Sequence, residues 1–405
     1  MIPHQVLRRE TFGGMLVAMP DARFTVLDAD GYRRVRNQLA DASLTARIVD
    51  VTAWGYPLLP DALSSPGTAY LELTKRCEGA CTHCYAAVSP PGLNKELAFG
   101  EIERLLQQLA ACGAYYIRLT GGEPTLRNDL SDILDVIAGT GMKAAVNTHG
   151  RYGESRLRRL LERGVQDLRI SLDGTEPVHD AIRGRGSYQT VLATLRRIAD
   201  YNQSAHPPAD PTINVVLMRA NRHCVTPLID LAAKLGFKLS FGLLRPVGKA
   251  ETAEMLSPEE VAGAAWEVAQ RRRELSLAEG SVRINFDVFC ETNSRAPANP
   301  FPLDNSKCPI GINGIGVSAE GRVMPCNFMG SIKGGQWLGE SICDRDILDL
   351  WHHSPVIREA RRVKRGGCGG CPHYRTKCNG GCPATALVWT DSLDGRDPYC
   401  VRGVT

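Results

Sequence analysis

Between residue 68 and about residue 285, short apolar runs alternate with longer segments whose apolar residues recur at i, i+3, i+4 and i+7. The short runs predict strands, and the longer pattern predicts amphipathic helices. Regular alternation of the two is typical of parallel βα units. The predicted strands are Tyr70–Thr74, Tyr116–Thr120, Lys143–Asn147, Asp167–Ser171, Thr212–Met218 and Leu239–Leu244. The pattern therefore predicts an α/β fold, a partial, TIM-like (β/α)6 barrel that is open on one side.

The first 66 residues predict a small α+β unit in front of this barrel. Phe12–Val17 and Arg23–Leu27 are strand-like and are separated by a Pro-Asp pair, which predicts a hairpin. A helix follows as far as Leu39, and Asp28 or Asp30 can cap it. The unit either recognises a peptide or simply covers one edge of the barrel.

Two further boundaries follow from composition. The stretch Pro57–Gly67 is rich in Pro, Ser and Gly and predicts a linker between residues 1–66 and a barrel domain at 67–285. From residue 286 to residue 405 the βα alternation is lost. Of the fourteen cysteines, nine fall between Cys290 and Cys400. Residues 286–405 are therefore predicted to form a separate, metal-rich domain.

Composition narrows the functional classes. The formal net charge of +4 is small for 405 residues, so nothing indicates nucleic-acid binding. No apolar run reaches membrane-spanning length, and the N-terminus lacks a charged segment followed by an apolar core. These features predict a cytoplasmic protein without a membrane partner. Because the cytosol keeps thiols reduced, so many cysteines indicate metal ligands rather than disulfides.

The first predicted barrel strand runs directly into a C-x₃-C-x₂-C loop formed by Cys77, Cys81 and Cys84. Three thiolates can bind three irons of a cubane cluster, which has four irons and needs four ligands. One iron is therefore left without a cysteine ligand. An iron with an open position can bind and activate a substrate, as open metal sites do elsewhere. By spacing alone, a zinc knuckle or a redox-active cysteine pair would also be possible.

This loop resembles the signature of the radical S-adenosylmethionine (SAM) enzymes. The resemblance implies that the fourth iron chelates SAM, whose reductive cleavage yields a 5′-deoxyadenosyl radical that abstracts hydrogen from a substrate. The second strand ends in Thr120-Gly-Gly-Glu-Pro124, which resembles the GGEP motif of the family. Glycines let the backbone approach a ligand closely. The resemblance places Gly121 and Gly122 at the SAM ammonium group, with Glu123 mostly ordering the motif.

The resemblance places three further residues near SAM. Ser171 ends the fourth strand and Arg183 follows it, offering a hydroxyl and a guanidinium to the polar groups and carboxylate of SAM. A surface salt bridge is the alternative for Arg183. His83 occupies the aromatic position that lies against adenine in the family, or is an exposed loop histidine. His149 replaces the second asparagine of the family's Asn-Thr-Asn-Gly sequence, with an effect that the sequence does not indicate.

The cysteines after residue 286 resemble those of the SPASM domain, an extension that carries auxiliary clusters. The resemblance implies three [4Fe-4S] clusters, one that binds SAM and two auxiliary ones. One auxiliary cluster would use Cys368, Cys371, Cys378 and Cys400. The other would use Cys308, Cys326 and Cys382, completed by Cys290 or left open. Cys112 is predicted to lie in the core. In isolation, two structural zinc ions would explain the C-terminal spacing nearly as well.

Both resemblances imply a radical SAM enzyme that modifies a ribosomally made precursor peptide by crosslinking or oxidation. A reducing flavodoxin or ferredoxin is the expected electron donor. Modification of a small molecule, such as a tetrapyrrole or a sugar, and sulfatase maturation are alternatives. A non-catalytic iron–sulfur or zinc protein is the alternative from another class. The residue that deprotonates or quenches the substrate radical is not indicated, since the barrel mouth has many carboxylates.

Overall fold

The computed structural model describes most of the chain. The described residues are 3–41, 46–86, 95–165, 167–204, 208–278, 281–285, 301, 303, 308, 311–332, 334–363, 368–374, 378 and 380–400. Within them, no helix combines the length and the apolar character that a membrane span requires.

The N-terminal residues form a four-stranded sheet with one helix, larger than the predicted hairpin. Its elements are β1 (Gln5–Glu10), β2 (Gly13–Ala18), β3 (Arg23–Leu27), α1 (Ala29–Asp41) and β4 (Ala46–Val49). The order is β3-β2-β1-β4, with β4 parallel to β1 and the other pairs antiparallel. Asp28 Oδ1 accepts a hydrogen bond from the Gly31 N–H at 2.7 Å, so Asp28 rather than Asp30 caps α1.

The barrel strands lie close to their predicted positions. They are β5 (Thr68–Thr74), β6 (Tyr116–Gly121), β7 (Lys143–Thr148), β8 (Asp167–Ser171), β9 (Thr212–Leu217), β10 (Lys238–Leu243) and β11 (Val282–Asn285). All are parallel to their neighbours, in sequence order. The predicted partial α/β barrel is confirmed, and β11 adds a strand to its open edge.

The intervening helices cover the outer surface of this barrel. They are α2 (Phe99–Ala111), α3 (Leu130–Thr140), α4 (Glu154–Glu162), α5 (Glu176–Arg183), α6 (Ser187–Asn202), α7 (Val225–Leu235) and α8 (Pro258–Glu274). Their apolar stripes, such as Ile102, Leu105 and Leu109 of α2, pack into one core with the outward-facing strand residues. Cys112 lies in this core, as predicted.

The C-terminal region begins by extending the barrel sheet beyond β5. Its elements are β12 (Gly314–Val317), β13 (Val323–Met324), α9 (Asn327–Gly330), α10 (Ile347–His353), α11 (Pro355–Arg361) and α12 (Pro383–Thr390). β12 is parallel to β5 and antiparallel to β13. Gly321 lies in the turn between them and has a φ of 85°, a left-handed conformation that favours glycine.

The N-terminal unit is locked to the barrel through buried polar contacts. Arg8 donates hydrogen bonds to the carbonyls of Ser65 at 2.6 Å and Gly113 at 2.9 Å, and also pairs with Glu10 at 3.1 Å. Glu10 in turn accepts the Ser64 N–H at 2.7 Å. Residues 62–67 of the predicted linker are buried. This segment is therefore a packed connection, because its backbone pairs with Arg8 and Glu10 instead of with water.

Candidate active site

The C-x₃-C-x₂-C loop leaves β5 at the carboxyl ends of the barrel strands. The Gly79 N–H donates to Cys77 Sγ at 3.3 Å. A β-carbon at residue 79 would lie 3.3 Å from Cys77 Sγ and 3.5 Å from Cys81 Sγ, so both sulfurs flank this glycine. Two of the three thiols of the loop therefore lie beside the same glycine.

The thiols of this loop influence one another. Burial raises the pKa of Cys77 to about 12, and the carboxylate of Glu123 and the thiols of Cys81 and Cys84 act in the same direction. Burial is also the main cause of the raised pKa of Cys81. Grouped, buried thiols of this kind become thiolates when a metal supplies positive charge.

Gly121 and Gly122 bring the end of β6 against the start of the cysteine loop. The Gly122 N–H donates to the Thr74 carbonyl at 2.7 Å, and the Glu123 N–H donates to the Arg76 carbonyl at 2.8 Å. A β-carbon at Gly122 would lie 2.1 Å from the Arg76 oxygen, and one at Gly121 2.4 Å from the Thr74 oxygen. Only glycine allows this approach.

Glu123 holds the ends of two neighbouring strands together. Its side chain is fully buried and accepts hydrogen bonds from the Thr125 N–H at 3.1 Å, the Thr148 hydroxyl at 2.9 Å and the His149 N–H at 2.9 Å. A buried carboxylate with this many donors is committed to them. The geometry agrees with an ordering role for Glu123.

His149 connects β7 to the cysteine loop, an effect that its sequence position did not indicate. Its Nδ1 accepts the Arg151 N–H at 2.8 Å. The neutral ring therefore carries its proton on Nε2, which donates to Glu78 Oε2 at 3.2 Å. Glu78, next to Cys77, also contacts Arg156 at 3.4 Å.

Arg183 lies against the cysteine loop rather than on the surface. Its Nε donates to Asp173, its Nη1 lies 3.7 Å from Cys81 Sγ, and its Nη2 lies 3.3 Å from His83 Nε2. Asp173, fully buried, also accepts the Val216 N–H at 2.9 Å. The alternative of a surface salt bridge for Arg183 is wrong, because its partner is a core carboxylate that sequence patterns did not single out.

The side chain of His83 is 8% exposed and its ring is neutral. Burial lowers its pKa to about 4. Because an arginine only donates, His83 Nε2 accepts from Arg183 and the ring proton lies on Nδ1. That Nδ1 is buried without a hydrogen-bond partner among the described residues. Ser171 lies half-buried at the end of β8 on the same edge of the sheet.

Three of the C-terminal cysteines come together although they are far apart in sequence. Cys308, Cys326 and Cys382 belong to one small apolar cluster with Met329 and Trp337. Burial raises the pKa of Cys326 to about 12, and the nearby Cys382 thiol contributes. Arg245, which follows β10, is close enough to Cys382 and Cys308 for their charges to raise its pKa.

The remaining C-terminal cysteines are held by short turns and by Asp397. The Cys371 N–H donates to the Cys368 carbonyl at 3.2 Å, and the Gly380 N–H donates to Cys378 Sγ at 3.3 Å. Buried Asp397 accepts the N–H groups of Cys382 at 2.7 Å and Tyr399 at 2.9 Å, which ties the Cys382 turn to the segment that ends at Cys400. Cys290 lies outside the described residues.

The two cysteine regions touch through side chains that sequence reasoning missed. The rings of Tyr85 and Phe328 pack edge to face at 5.4 Å, and they follow Cys84 and Cys326 closely. Asn327 donates to buried Glu72 at 3.3 Å. Gly248 lies so close to Cys84 that a β-carbon there would be 2.5 Å from its carbonyl oxygen. The sequence could have indicated a role for Gly248 only through its position after a barrel strand, where active-site loops form.

A cysteine loop seated on a Gly-Gly-Glu-Pro turn, at the carboxyl ends of a partial parallel barrel, defines a radical SAM fold. Residues 71–232 match the family model described as the Radical SAM superfamily. The chain belongs to this superfamily and is a radical SAM enzyme.

Three similar proteins cover most of the chain. It is 31% identical over 357 residues to mycofactocin maturase MftC of Mycobacterium ulcerans (strain Agy99), covering 84% of this chain and 89% of that protein. It is 28% identical over 345 residues to the PqqA peptide cyclase of Xanthomonas campestris pv. campestris (strain B100), covering 83% and 87%. The crystal structure of Streptococcus suis SuiB bound to precursor peptide SuiA has a TM-score of 0.74 at 16% identity, covering 98% of each chain, and supports the fold.

The superfamily implies SAM and one [4Fe-4S] cluster, and the residues present fit both. Cys77, Cys81 and Cys84 supply three grouped sulfurs, which suits a cluster with one open iron. The Nδ1–H of His83, which is buried and finds no acceptor within the described part of the chain, offers a further donor in the loop.

Proposed function

We propose that this chain is a peptide maturase that modifies a ribosomally made precursor peptide by crosslinking or oxidation. The observation that carries the proposal is its likeness, over more than four fifths of its length, to proteins named as a maturase and a peptide cyclase. That likeness extends well beyond residues 71–232, the part matched by the superfamily model.

The chain's own residues perform binding and positioning in this proposal. Cys77, Cys81 and Cys84 hold the SAM-binding cluster, and SAM cleaved there supplies the radical that abstracts hydrogen. Gly121 and Gly122 present the backbone to the SAM ammonium group, while Glu123 keeps the turn in place. Three further residues are proposed to bind SAM, namely His83, Ser171 and Arg183. Asp173 fixes the direction of the Arg183 guanidinium.

The C-terminal cysteines hold two auxiliary clusters in the same proposal. Cys308, Cys326 and Cys382 supply one, with Cys290 as its fourth ligand, and the other uses Cys368, Cys371, Cys378 and Cys400. The spatial grouping of Cys308, Cys326 and Cys382 supports the first set. Clusters held by these cysteines would supply a site for the electron released when a substrate radical is oxidised, or a route for electrons to the SAM-binding cluster. A reduced flavodoxin or ferredoxin supplies electrons to the chain.

Co-expression tests the proposed function. The chain is produced with short open reading frames that neighbour its gene, and the peptides are analysed by mass spectrometry. We expect a mass change, such as the loss of two hydrogens, that is absent when Cys77, Cys81 and Cys84 are all alanine. Unmodified peptides together with a SAM-dependent change in a tetrapyrrole or sugar would contradict the proposal.

The N-terminal unit (residues 1–66) contributes precursor recognition in this proposal. β3 lies at one edge of its sheet, and an extended peptide can add to such an edge through backbone hydrogen bonds. The packing of Arg8 and Glu10 against the barrel means that deleting the unit would expose buried groups. Substitution within β3 is therefore a cleaner test than deletion.

Proline substitution at Thr25 or Val26 provides that test. Amides of adjacent strand residues point to opposite edges, so one of the two prolines removes only an outward N–H. We expect that variant to fold, to cleave SAM as the parent does, and to bind the precursor about tenfold more weakly. Unchanged affinity in both folded variants would assign the unit to covering the barrel.

A further inference from the structure

The inner face of the barrel is polar. Strands of a parallel sheet covered by helices are usually apolar on both faces. Here most of the residues that alternate with the core positions carry hydroxyl, amide or charged groups, and Ala145 of β7 is an apolar exception. On β5 to β8 the polar ones include Tyr70, Glu72, Tyr116, Arg118, Thr120, Asn147, Asp167, Arg169 and Ser171. A face with so many polar groups differs from the apolar packed core on the other side of the sheet.

Arg118 is the most deeply buried cation on this face. Its side chain is 4% exposed. It donates to Asn147 Oδ1 at 2.8 Å and to the Tyr116 hydroxyl, and its guanidinium carbon lies 5.9 Å from the centre of the Tyr70 ring. Its Nε is buried and has no hydrogen-bond partner among the described residues. Arg118 is thus held rigidly with a donor still unused.

Arg169 on β8 brings a second positive charge to the same place. Its side chain is 32% exposed, and its Nε also lacks a hydrogen-bond partner among the described residues. Asp167 lies 3.4 Å from Arg118 and 3.8 Å from Arg169. One carboxylate therefore faces two guanidinium groups, which leaves one positive charge of this trio uncompensated beside the buried Arg118. Glu72 does not cancel it, because Lys75 pairs with Glu72 at 2.7 Å.

We propose that Arg118 and Arg169 form a carboxylate-binding site inside the barrel and that it holds a carboxylate of the peptide substrate. Two guanidinium groups, each with an Nε–H that has no hydrogen-bond partner in the described part of the chain, match a carboxylate in charge and in hydrogen-bonding geometry. The inference rests on the proposed function for the identity of the substrate, while the site itself rests on the lumen geometry.

The position of the site explains what it would do. Arg118 precedes Gly121 by three residues on β6, which is about 10 Å along a strand. A carboxylate bound there would place the part of the substrate about 10 Å further along beside the SAM-binding end of the barrel. The pair would thereby select which residue of the peptide meets the radical, since binding at a distance positions the reacting atoms.

The carboxylate could be the C-terminus of a peptide or an acidic side chain, and simple probes separate the two. We would measure binding of N-acetylglycine, N-acetylglutamate α-amide and the neutral N-acetylglycinamide to the cluster-loaded enzyme by ligand-observed NMR. We expect at least one carboxylate probe to bind about tenfold more tightly than N-acetylglycinamide, as one charge-assisted pair would give. Tighter binding of N-acetylglycine assigns a chain terminus, and tighter binding of the glutamate probe assigns an acidic residue.

Two variants and a control complete the test. Arg169→Gln, at the more exposed position, should fold and reduce the carboxylate preference to about twofold or less, and Arg118→Gln should do so where it folds. Arg158→Gln serves as the control, because this arginine is 64% exposed on α4 and pairs with Glu154. Equal binding of all three probes to the parent, or an unchanged preference in Arg169→Gln, would overturn the site.

Peptide modification is the separate readout for the proposed function. A parent enzyme that modifies a peptide but shows no carboxylate preference overturns this inference and leaves the proposed function intact. A carboxylate preference that depends on Arg169, in an enzyme that modifies no peptide, removes the proposed function and with it the peptide as the ligand.

Discussion

The two cysteine regions of this chain are built in opposite ways. Cys77, Cys81 and Cys84 lie within eight residues on one loop, and the neighbouring strand ends provide their seat. Cys308, Cys326 and Cys382 span more than seventy residues and meet only because the chain folds back. A short motif therefore defines the first site, whereas tertiary packing defines the second.

The difference also has consequences for coupling. The first region is fixed by hydrogen bonds from Gly122 and Glu123 to the backbone of the loop, and none of these involves the C-terminal region. Contact between the two regions is made by the Tyr85–Phe328 ring pair and the Asn327–Glu72 hydrogen bond. If both regions hold clusters as proposed, loss of the cluster in one region should leave the other region in place, which the following variants test.

The largest effect is expected when Cys77, Cys81 and Cys84 are all replaced by alanine. With no thiolates in the loop, the reconstituted and reduced protein should release no 5′-deoxyadenosine from SAM above background. Iron should fall from about twelve to about eight atoms per chain, the content of two remaining four-iron clusters. Iron analysis and chromatography of the nucleoside products provide the measurements.

Cys343→Ala is a matched control for this variant, because Cys343 is exposed and donates to Glu101 outside both cysteine regions. SAM cleavage that persists in the triple variant would remove the loop from the site. About four irons in the parent, accompanied by zinc, would show that the C-terminal cysteines bind zinc.

A second variant removes a cysteine from the C-terminal region and leaves the C-x₃-C-x₂-C loop intact. Cys326→Ala should lower iron from about twelve to about eight atoms per chain, while SAM cleavage without substrate continues. Peptide modification should fall sharply if that cluster accepts the substrate electron. Loss of SAM cleavage in a folded Cys326→Ala protein would mean that the two regions are not independent.

A smaller and more local effect is expected from Glu123→Ala. This change removes the acceptor for the buried hydrogen-bond donors of Thr125, Thr148 and His149. Leaving these donors without an acceptor lowers the unfolding free energy by roughly 3 kcal/mol. It should also loosen the SAM-binding turn and weaken SAM binding about tenfold or more, measured by equilibrium dialysis. Glu154→Ala on exposed α4 is the control. Unchanged SAM affinity would restrict Glu123 to a structural role.

The elements that the sequence predicted well are those specified locally. The barrel strands from β5 to β10 have strong apolar runs, and their predicted bounds differ from the observed ones by two residues or fewer. Strands β1 and β4 were missed because their sequences carry arginines, Arg8 and Arg9 or Arg47, whose hydrogen-bond acceptors lie in distant segments. Strand β12 was missed because it depends on pairing with β5, far away in sequence.

The same distinction applies to the candidate site. The thiols and the Gly-Gly-Glu-Pro turn follow from spacing and from their positions at strand ends. Asp173 and the pairing of Glu78 with His149 do not, because each depends on which side chains the fold brings face to face. The Arg118–Arg169 pair escaped notice for another reason. Polar residues that alternate with apolar ones in a predicted strand show only that one face of the strand is polar. That face can be identified as the inside of a barrel only once the direction of every strand is known.

The smallest expected effect is on the pH dependence of stability. It concerns the contact between α10 of the C-terminal region and residues 62–67, the buried connection between the N-terminal unit and the barrel. His352 of α10 is buried, and its Nε2 donates to the Ser64 carbonyl at 2.9 Å. Burial lowers its pKa to about 4. The unfolded chain, with an ordinary histidine pKa near 6.5, takes up a proton between pH 6.5 and 4 that the folded chain does not.

Unfolding free energy should therefore fall as the pH is lowered through this window. Between pH 7 and pH 5.5, His352 should account for about 1 kcal/mol of the loss. In His352→Gln the amide can still donate to Ser64 but cannot take up a proton, so this share of the pH dependence should disappear. Anaerobic urea unfolding at both pH values measures it. His353→Gln is the control, because the neighbouring His353 is half-exposed and bonds to Asp349. Only a group whose proton affinity changes on folding can make stability depend on pH. If both variants keep the parent's pH dependence, protonation of His352 therefore does not oppose the docking of α10.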